Sequence, residues 1–270
     1  MVPEEITNAA RQGDVDTVRE WAATHDVNEN TRLQYWWQGA NTGGFPLLTL
    51  IANSDPRTTD GQLRVGLMLL ELGADPNKAK TLSDGSGLPP LHYACRGFSK
   101  NSVAMVAALI EAGADVNHKN RSGGEVIAAL YLAITNSRYE DRRPHCLKIV
   151  RLLLRAGASL DGVYGTDSAE EAFSEMENET RRFNSDDFRL EGSATFPEFL
   201  AVRDTLAGVR KAGSYARFVQ LPLCKDVLVL RTLALRGRAR PTDGVGAFLV
   251  TSPNEITWKV LSYWRGGLDL

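Results

Sequence analysis

Leu69-Leu70-Glu71-Leu72-Gly73-Ala74-Asp75-Pro76-Asn77 returns as Leu109-Ile110-Glu111-Ala112-Gly113-Ala114-Asp115-Val116-Asn117. It returns again, altered, as Leu153-Leu154-Arg155-Ala156-Gly157-Ala158-Ser159-Leu160-Asp161. A weaker copy is His25-Asp26-Val27-Asn28. The glycines at 73, 113 and 157 stand 40 and 44 residues apart. Each phrase reads as an apolar helix end. Glycine then supplies a left-handed cap that a residue with a side chain resists. Asp and Asn suit the tight turn that follows, because their side chains bond nearby backbone groups.

Upstream of the phrases sits a second signature. Pro89-Pro90-Leu91-His92-Tyr93-Ala94-Cys95 is its clearest copy, and Phe45-Pro46-Leu47-Leu48 and Ala128-Ala129-Leu130-Tyr131-Leu132-Ala133 are degraded ones. Proline in a first helical turn costs nothing, since its missing N–H would be unpaired there. Apolar residues recur with helical spacing before each glycine: Val103, Val106, Leu109 and Ile110, then Leu147, Val150, Leu153 and Leu154. A single helix pair cannot bury such a face, so pairs must stack.

These residues resemble the ankyrin repeat, T-P-L-H-x-A-A, a second helix, then G-A-D-V-N. The resemblance implies an all-α ankyrin-repeat solenoid, helix pairs joined by β-turn fingers, with a helical C-terminal cap. Repeats 1–4 are expected over 5–161, with Ala9-Ala10-Arg11-Gln12-Gly13-Asp14 opening the first. The intervals exceed the family's repeat of about 33 residues. The surplus falls between paired helices, where Asn53–Arg57 and Asn136–Asp141 have loop composition.

Composition bounds the function. The 270 residues carry 31 Lys+Arg against 33 Asp+Glu, a net charge of −2. That balance argues against a nucleic-acid-binding domain. Cys95, Cys146 and Cys224 are too few and scattered for a disulfide framework. The sequence shows neither a signal-peptide core nor an apolar run long enough to span a bilayer. A cytoplasmic protein without a membrane partner is the expectation, with the nucleus left open.

Charge is uneven beyond residue 158. Residues 159–197 carry 3 basic and 10 acidic groups, and 198–270 carry 11 basic and 6 acidic. Residues 162–213 read as a degenerate fifth repeat with an acidic insertion. Its first helix would be capped by Thr166. Its second would run from Glu198 to Ala212, Leu206 and Val209 inward, before Gly213. Asn184 to Phe196 reads as a loop.

Residues 214–270 read as a helical cap or an F-box-like segment. A helix is expected from Pro222 to Arg236. A second follows Ser252-Pro253-Asn254-Glu255, a capping box with proline at the first helical position. This last helix resembles the opening of an F-box, L-P-x-E-[IV]-x-x-x-I-L-S-Y-L. Large-DNA-virus proteins carry such a truncated (PRANC-type) box behind ankyrin repeats. The resemblance implies docking to a cullin-ligase adaptor subunit through Pro253, Glu255, Ile256, Val260, Leu261 and Trp264. Leu230-Arg231-Thr232-Leu233-Ala234-Leu235-Arg236 resembles the L-C-R-L-A-I-R of a SOCS box, with Arg231 at the Cys position. A plain cap with a polar outer face is the third reading.

Chemistry is sparse. His92 and Cys95 are three apart on a helix, but both hold ankyrin signature positions and no second pair has zinc spacing. Gly244-Val245-Gly246 lacks the rest of a dinucleotide fingerprint. No catalytic group, metal or cofactor is therefore expected. Asn178-Glu179-Thr180 is a glycosylation sequon, without consequence for a protein that stays inside the cell. The expectation is a non-catalytic scaffold or adaptor for protein–protein interaction. Its alternative is a substrate-recognition adaptor of a cullin-type ubiquitin ligase. The candidate partner-binding residues sit at finger positions: Tyr35, Trp36, Trp37, Lys78, Lys80, His118 and Lys119. Tyr and Trp are enriched in binding hot spots.

Overall fold

The computed structural model describes residues 1–31, 44–53, 59–79, 87–96, 99–122, 125–183 and 193–236, with 247–248, 252–253 and 256. The chain separates into two compact units, Met1–Leu206 and Ala207–Leu270.

In the first unit helices come in pairs: α1 (Glu4–Gln12) with α2 (Val15–Ala22), α3 (Leu47–Ala52) with α4 (Asp60–Glu71), α5 (Pro90–Ala94) with α6 (Lys100–Glu111), and α7 (Ala129–Asn136) with α8 (Arg143–Arg155). Then follow α9 (Ala169–Phe183) and α10 (Phe196–Ala212), which crosses the boundary between units. First helices touch in series, α1 on α3, α3 on α5, α5 on α7 and α7 on α9. Second helices do likewise, α2 on α4, α4 on α6 and α6 on α8.

The recurring phrase dictates each second helix's end. Gly73, Gly113 and Gly157 have φ of 88°, 91° and 91°. After each, the next N–H bonds back five residues: Ala74 to Leu69, Ala114 to Leu109 and Ala158 to Leu153, all at 2.9 Å. Those three leucines stand four residues before their glycines and are fully buried. The same side of the helices buries Val65, Val106 and Val150. Gly66 stands mid-helix, where it costs about 1 kcal/mol against Ala. A Cβ there would come within 2.3 Å of Met105 Cε.

Successive phrases are joined by an asparagine clasp. Asn77 donates from Nδ2 to the Gly113 carbonyl at 3.1 Å and accepts at Oδ1 from the Asp115 N–H at 2.8 Å. Asn117 repeats this on Gly157 and Ser159 at 3.1 and 2.7 Å. Asn28 repeats it on Gly73 and Asp75 at 3.4 and 2.7 Å. A primary amide alone offers donor and acceptor at this reach. Asn77→Ala loses both bonds and is expected to cost about 1 kcal/mol. Asn77→Asp keeps only an acceptor, set against a carbonyl, and is expected to cost at least as much. Urea midpoints of the two variants check this; an unchanged midpoint in both would show the clasp contributes nothing.

The structure departs from the all-α expectation in one finger. Lys119–Ser122 (β1) and Glu125–Ala128 (β2) pair antiparallel, Lys119 opposite Ala128. The far edge of β2 is also satisfied: Ala128 N–H donates to Val163 O and Gly165 N–H to Val126 O, both at 2.8 Å. The β-branched Val126 and Ile127 suit that pairing. The cap of α9 is Ser168, not Thr166. Ser168 Oγ accepts from the Glu171 N–H at 3.3 Å while Glu171 Oε2 accepts from the Ser168 N–H at 2.8 Å, a complete capping box.

A buried cation holds the start of α10. Arg143 is 0% exposed. Its Nε donates to Ser137 O at 3.2 Å and its Nη2 to Arg138 O at 3.1 Å. Its Nη1 donates to Ser193 Oγ and Thr195 Oγ1 at 2.9 and 3.3 Å. The guanidinium also lies 5.6 Å from the Phe199 ring centroid.

In the second unit α11 spans Tyr215–Leu235. It begins seven residues before the expected Pro222, because Ser214 Oγ accepts from the Arg217 N–H at 3.2 Å and nucleates the helix there. Gly208 packs under Phe218, whose ring would stand 2.3 Å from a Cβ at 208. No helix of the described residues is long and apolar enough to cross a membrane.

Candidate functional site

The fingers are presented by the local chemistry just described. Those after α4, α6 and α8 leave the helix through a glycine and turn on an Asp or Ser side chain, and Asn28, Asn77 and Asn117 clasp neighbours together. In the turn, Asp75 Oδ1 accepts from the Asn77 N–H at 2.8 Å and Asp115 Oδ1 from the Asn117 N–H at 2.9 Å. The residues directly after the clasping asparagines Asn77 and Asn117 are Lys78 and His118. Lys78 is half-buried and its Nζ donates to the Asn28 carbonyl. Lys119 is exposed, with Nζ 3.4 Å from Asp161 O. His118 is half-buried, its ring edge-on to His92 at 5.9 Å. The clasps thus bring Lys78, His118 and Lys119 onto consecutive fingers. Tyr35, Trp36, Trp37 and Lys80 lie outside the described residues.

Of the ligase-docking candidates, Pro253 and Ile256 are described. Ile256 is 46% exposed, and its N–H donates to Pro253 O at 3.1 Å. Ser252 is buried and its carbonyl accepts from Arg231 Nη1 at 2.8 Å. Glu255, Val260, Leu261 and Trp264 lie outside the described residues.

His92 is fully buried, with Nε2 3.2 Å from Ile127 O. A carbonyl partner requires the proton on Nε2 in the neutral ring. Burial, the largest cause, holds its pKa down at about 4. His118 adds a smaller lowering effect, while the Ile127 carbonyl and Asp115 oppose it. Burial likewise raises the Cys95 thiol and pushes Cys146 up to about 12. Such thiols are poor nucleophiles and poor metal ligands. Among the described residues no three His, Cys, Asp or Glu converge to hold a metal ion.

His92 gives a signed pH effect. Its folded pKa lies below the ordinary 6.5, so the unfolded chain takes up the proton first. Stability contributed by the neutral ring is present above about 6.5 and falls as pH drops toward 4. Between pH 7 and pH 5 the loss should be about 2 kcal/mol. His92→Gln, which keeps an N–H donor, should flatten that part of the stability profile measured by urea titration at both pH values. An equal slope in variant and wild type would contradict the assignment.

Sequence reasoning did not find a second surface. Tyr131 and Tyr164 stack with centroids 4.6 Å apart and planes 16° from parallel. Nearby, Asp167, Glu171, Glu175, Glu179 and Arg182 line an open groove of about 500 Å³ along α9. The i, i+4 spacing of these carboxylates was the available signal. In the α9 sequon Asn178 is exposed, while Thr180 is buried and donates to Met176 O at 2.6 Å.

Residues 86–121 match the ankyrin repeat family model. The matched stretch holds α5, α6 and the start of β1, Lys119 to Arg121. No curated protein sequence matches the chain. The chain therefore contains an ankyrin repeat, and His92 and Gly113 fall within the matched residues.

Proposed function

We propose that the chain is a non-catalytic protein–protein interaction module, an ankyrin-repeat solenoid acting as scaffold or adaptor. The observation that carries this is the asparagine clasp. It recurs from Asn28 to Asn77 to Asn117 and locks consecutive fingers in one register. A rigid row of fingers offers an extended surface without needing reactive groups. Repeats 1–4 over 5–161, a degenerate fifth repeat over 162–213 and a cap or F-box-like segment over 214–270 complete the proposed organisation. Tyr35, Trp36, Trp37, Lys78, Lys80, His118 and Lys119 are the proposed contact residues, and the cytoplasm the proposed location. The function draws on fold analogy.

Affinity capture from cell extract with mass spectrometry tests the reading. The full chain should recover a reproducible partner, and a Trp36→Ala/Trp37→Ala/Lys119→Ala variant of unchanged helicity should lose it. Failure of the wild type to recover any partner would sink the proposal.

A second reading, substrate adaptor of a cullin-type ligase, is favoured by one observation. Ile256 leaves a large apolar side chain 46% exposed within the F-box-like motif. Pull-down with the cullin adaptor subunit should succeed for wild type and fail for Ile256→Asp/Leu261→Asp. Equal recovery would end that reading.

A further inference from the structure

One hydroxyl joins a buried cation to a carboxylate. Ser193 Oγ accepts from Arg143 Nη1 at 2.9 Å and from the Thr195 N–H at 3.2 Å. It donates its own proton to Glu140 Oε1 at 2.6 Å. That uses all a serine hydroxyl has to offer, one donor and two lone pairs. Thr195 Oγ1 accepts from the same guanidinium and donates to the Glu140 carbonyl. Together these bonds tie the chain just ahead of α10 to the α7–α8 turn.

Charge in this network is already unbalanced. Arg143 is fully buried. Burial, the largest cause, lowers its pKa, while Glu140 and Glu198 act to hold its charge. One cation therefore answers two carboxylates. Glu198 Oε2 is itself buried, with no hydrogen-bond partner among the described residues. A phosphate on Ser193 would add a charge of about −1.5 to −2. It would also remove the only proton that Ser193 gives to Glu140. The guanidinium has little left to give in return, since its Nε and Nη2 are committed to the carbonyls of Ser137 and Arg138. Away from water such like-charge contacts are poorly screened, so repulsion wins.

The segment is also placed for modification. Ser193, Ala194 and Thr195 lie outside any helix, with Ser193 half-buried and Ala194 exposed. Asp186, Asp187 and Glu191 precede Ser193 and Glu198 follows it, against Arg189 alone. Such flanks are complementary to a kinase whose substrate groove is basic.

We propose that Ser193 is a phosphorylation site for an acidophilic serine/threonine kinase, and that its phosphate releases the start of α10 from the α7–α8 turn. In the transfer, Ser193 Oγ attacks the terminal phosphorus of ATP. The Oγ–P bond forms as the bond from phosphorus to the ADP oxygen breaks, and the hydroxyl proton passes to the base of the kinase.

Two measurements on the full chain test this. Incubation with ATP, Mg²⁺ and an acidophilic serine/threonine kinase, followed by site mapping with mass spectrometry, should place phosphate on Ser193. Phosphoserine incorporated at 193 during translation should quicken amide exchange roughly tenfold at Phe196 and Phe199 and leave Leu109 in α6 unchanged. Glu140→Gln removes one repelling charge and supplies an amide donor, so it should restore most of the lost protection. In the unphosphorylated chain Glu140→Gln keeps an acceptor for Ser193 and should exchange like wild type. Phosphate absent from Ser193, or found only elsewhere such as at Ser185, would overturn the site. Phosphoserine at 193 with wild-type exchange, or a loss that Glu140→Gln does not relieve, would overturn the release.

Discussion

Gly13→Ala is expected to destabilise the protein by about 3 kcal/mol, whereas Gly113→Ala should cost only about 1. Both glycines have positive φ, 80° and 91°, so both substitutions meet the same backbone penalty. Space separates them. A Cβ at 113 would have nothing within 4 Å. A Cβ at 13 would lie 2.6 Å from Gly61 Cα and 2.7 Å from its carbonyl carbon. Backbone cannot swing aside as a long side chain can, so the α1–α2 turn and the start of α4 must move apart. Gln62, the third residue of α4, donates from Nε2 to Arg11 O across this contact and would be pulled from it. Urea unfolding of the two variants reads the difference directly. Equal midpoints would mean that the close approach of Gly13 and Gly61 is not part of the folded state.

Arg143→Ala should be comparably severe, about 3 kcal/mol, with the loss centred on residues 193–199. The substitution strips hydrogen-bond partners from the carbonyls of Ser137 and Arg138 and the hydroxyls of Ser193 and Thr195. Ser193 Oγ also donates to Glu140 Oε1 at 2.6 Å and Thr195 Oγ1 to Glu140 O at 3.2 Å, so the network spans the α7–α8 turn and the start of α10. Removing the cation leaves Glu140 facing hydroxyls alone. Arg143→Lys keeps the charge but not the planar fork and should recover less than half of the loss. Thermal unfolding gives the total, and amide exchange at Phe196 and Phe199 locates it. Wild-type protection there in Arg143→Ala would show that α10 is held by apolar packing, such as Phe173 against Phe199 at 4.9 Å, without the cation.

Much of the first unit was legible in the sequence because its signals are local. A glycine four residues past a buried leucine marks a helix end wherever it falls. Leu69, Leu109 and Leu153 with their glycines obey that rule in the folded chain. The positions of α4, α6 and α8, the loop after α7 and the stop of α10 at Gly213 follow from such spacing. The β1–β2 pair was missed because two four-residue strands flanked by a helical repeat carry too little period-2 pattern to stand out. Thr166 lost the cap to Ser168 because only Ser168 has a glutamate three residues on to complete the box. Lys78, His118 and Lys119 follow the clasping asparagines in chain order, a placement the phrase spacing makes readable, and their role in contacting a partner is the proposal made above.

By itself, then, the amino-acid sequence determined where helices end, which faces are apolar, and that such pairs must pack in series. Tertiary structure alone decided what each polar side chain spans. Asn77 reaches a glycine 36 residues on, Arg143 a serine 50 residues on, and Lys78 a carbonyl 50 residues back. Tyr131, in α7, stacks on Tyr164, which lies beyond the whole of α8. The physical reason is one of range. Helix capping and periodicity act within one or two turns of chain and leave a readable spacing. A hydrogen bond or ring stack between distant residues depends on the register that packing imposes, and no spacing in the linear chain encodes it.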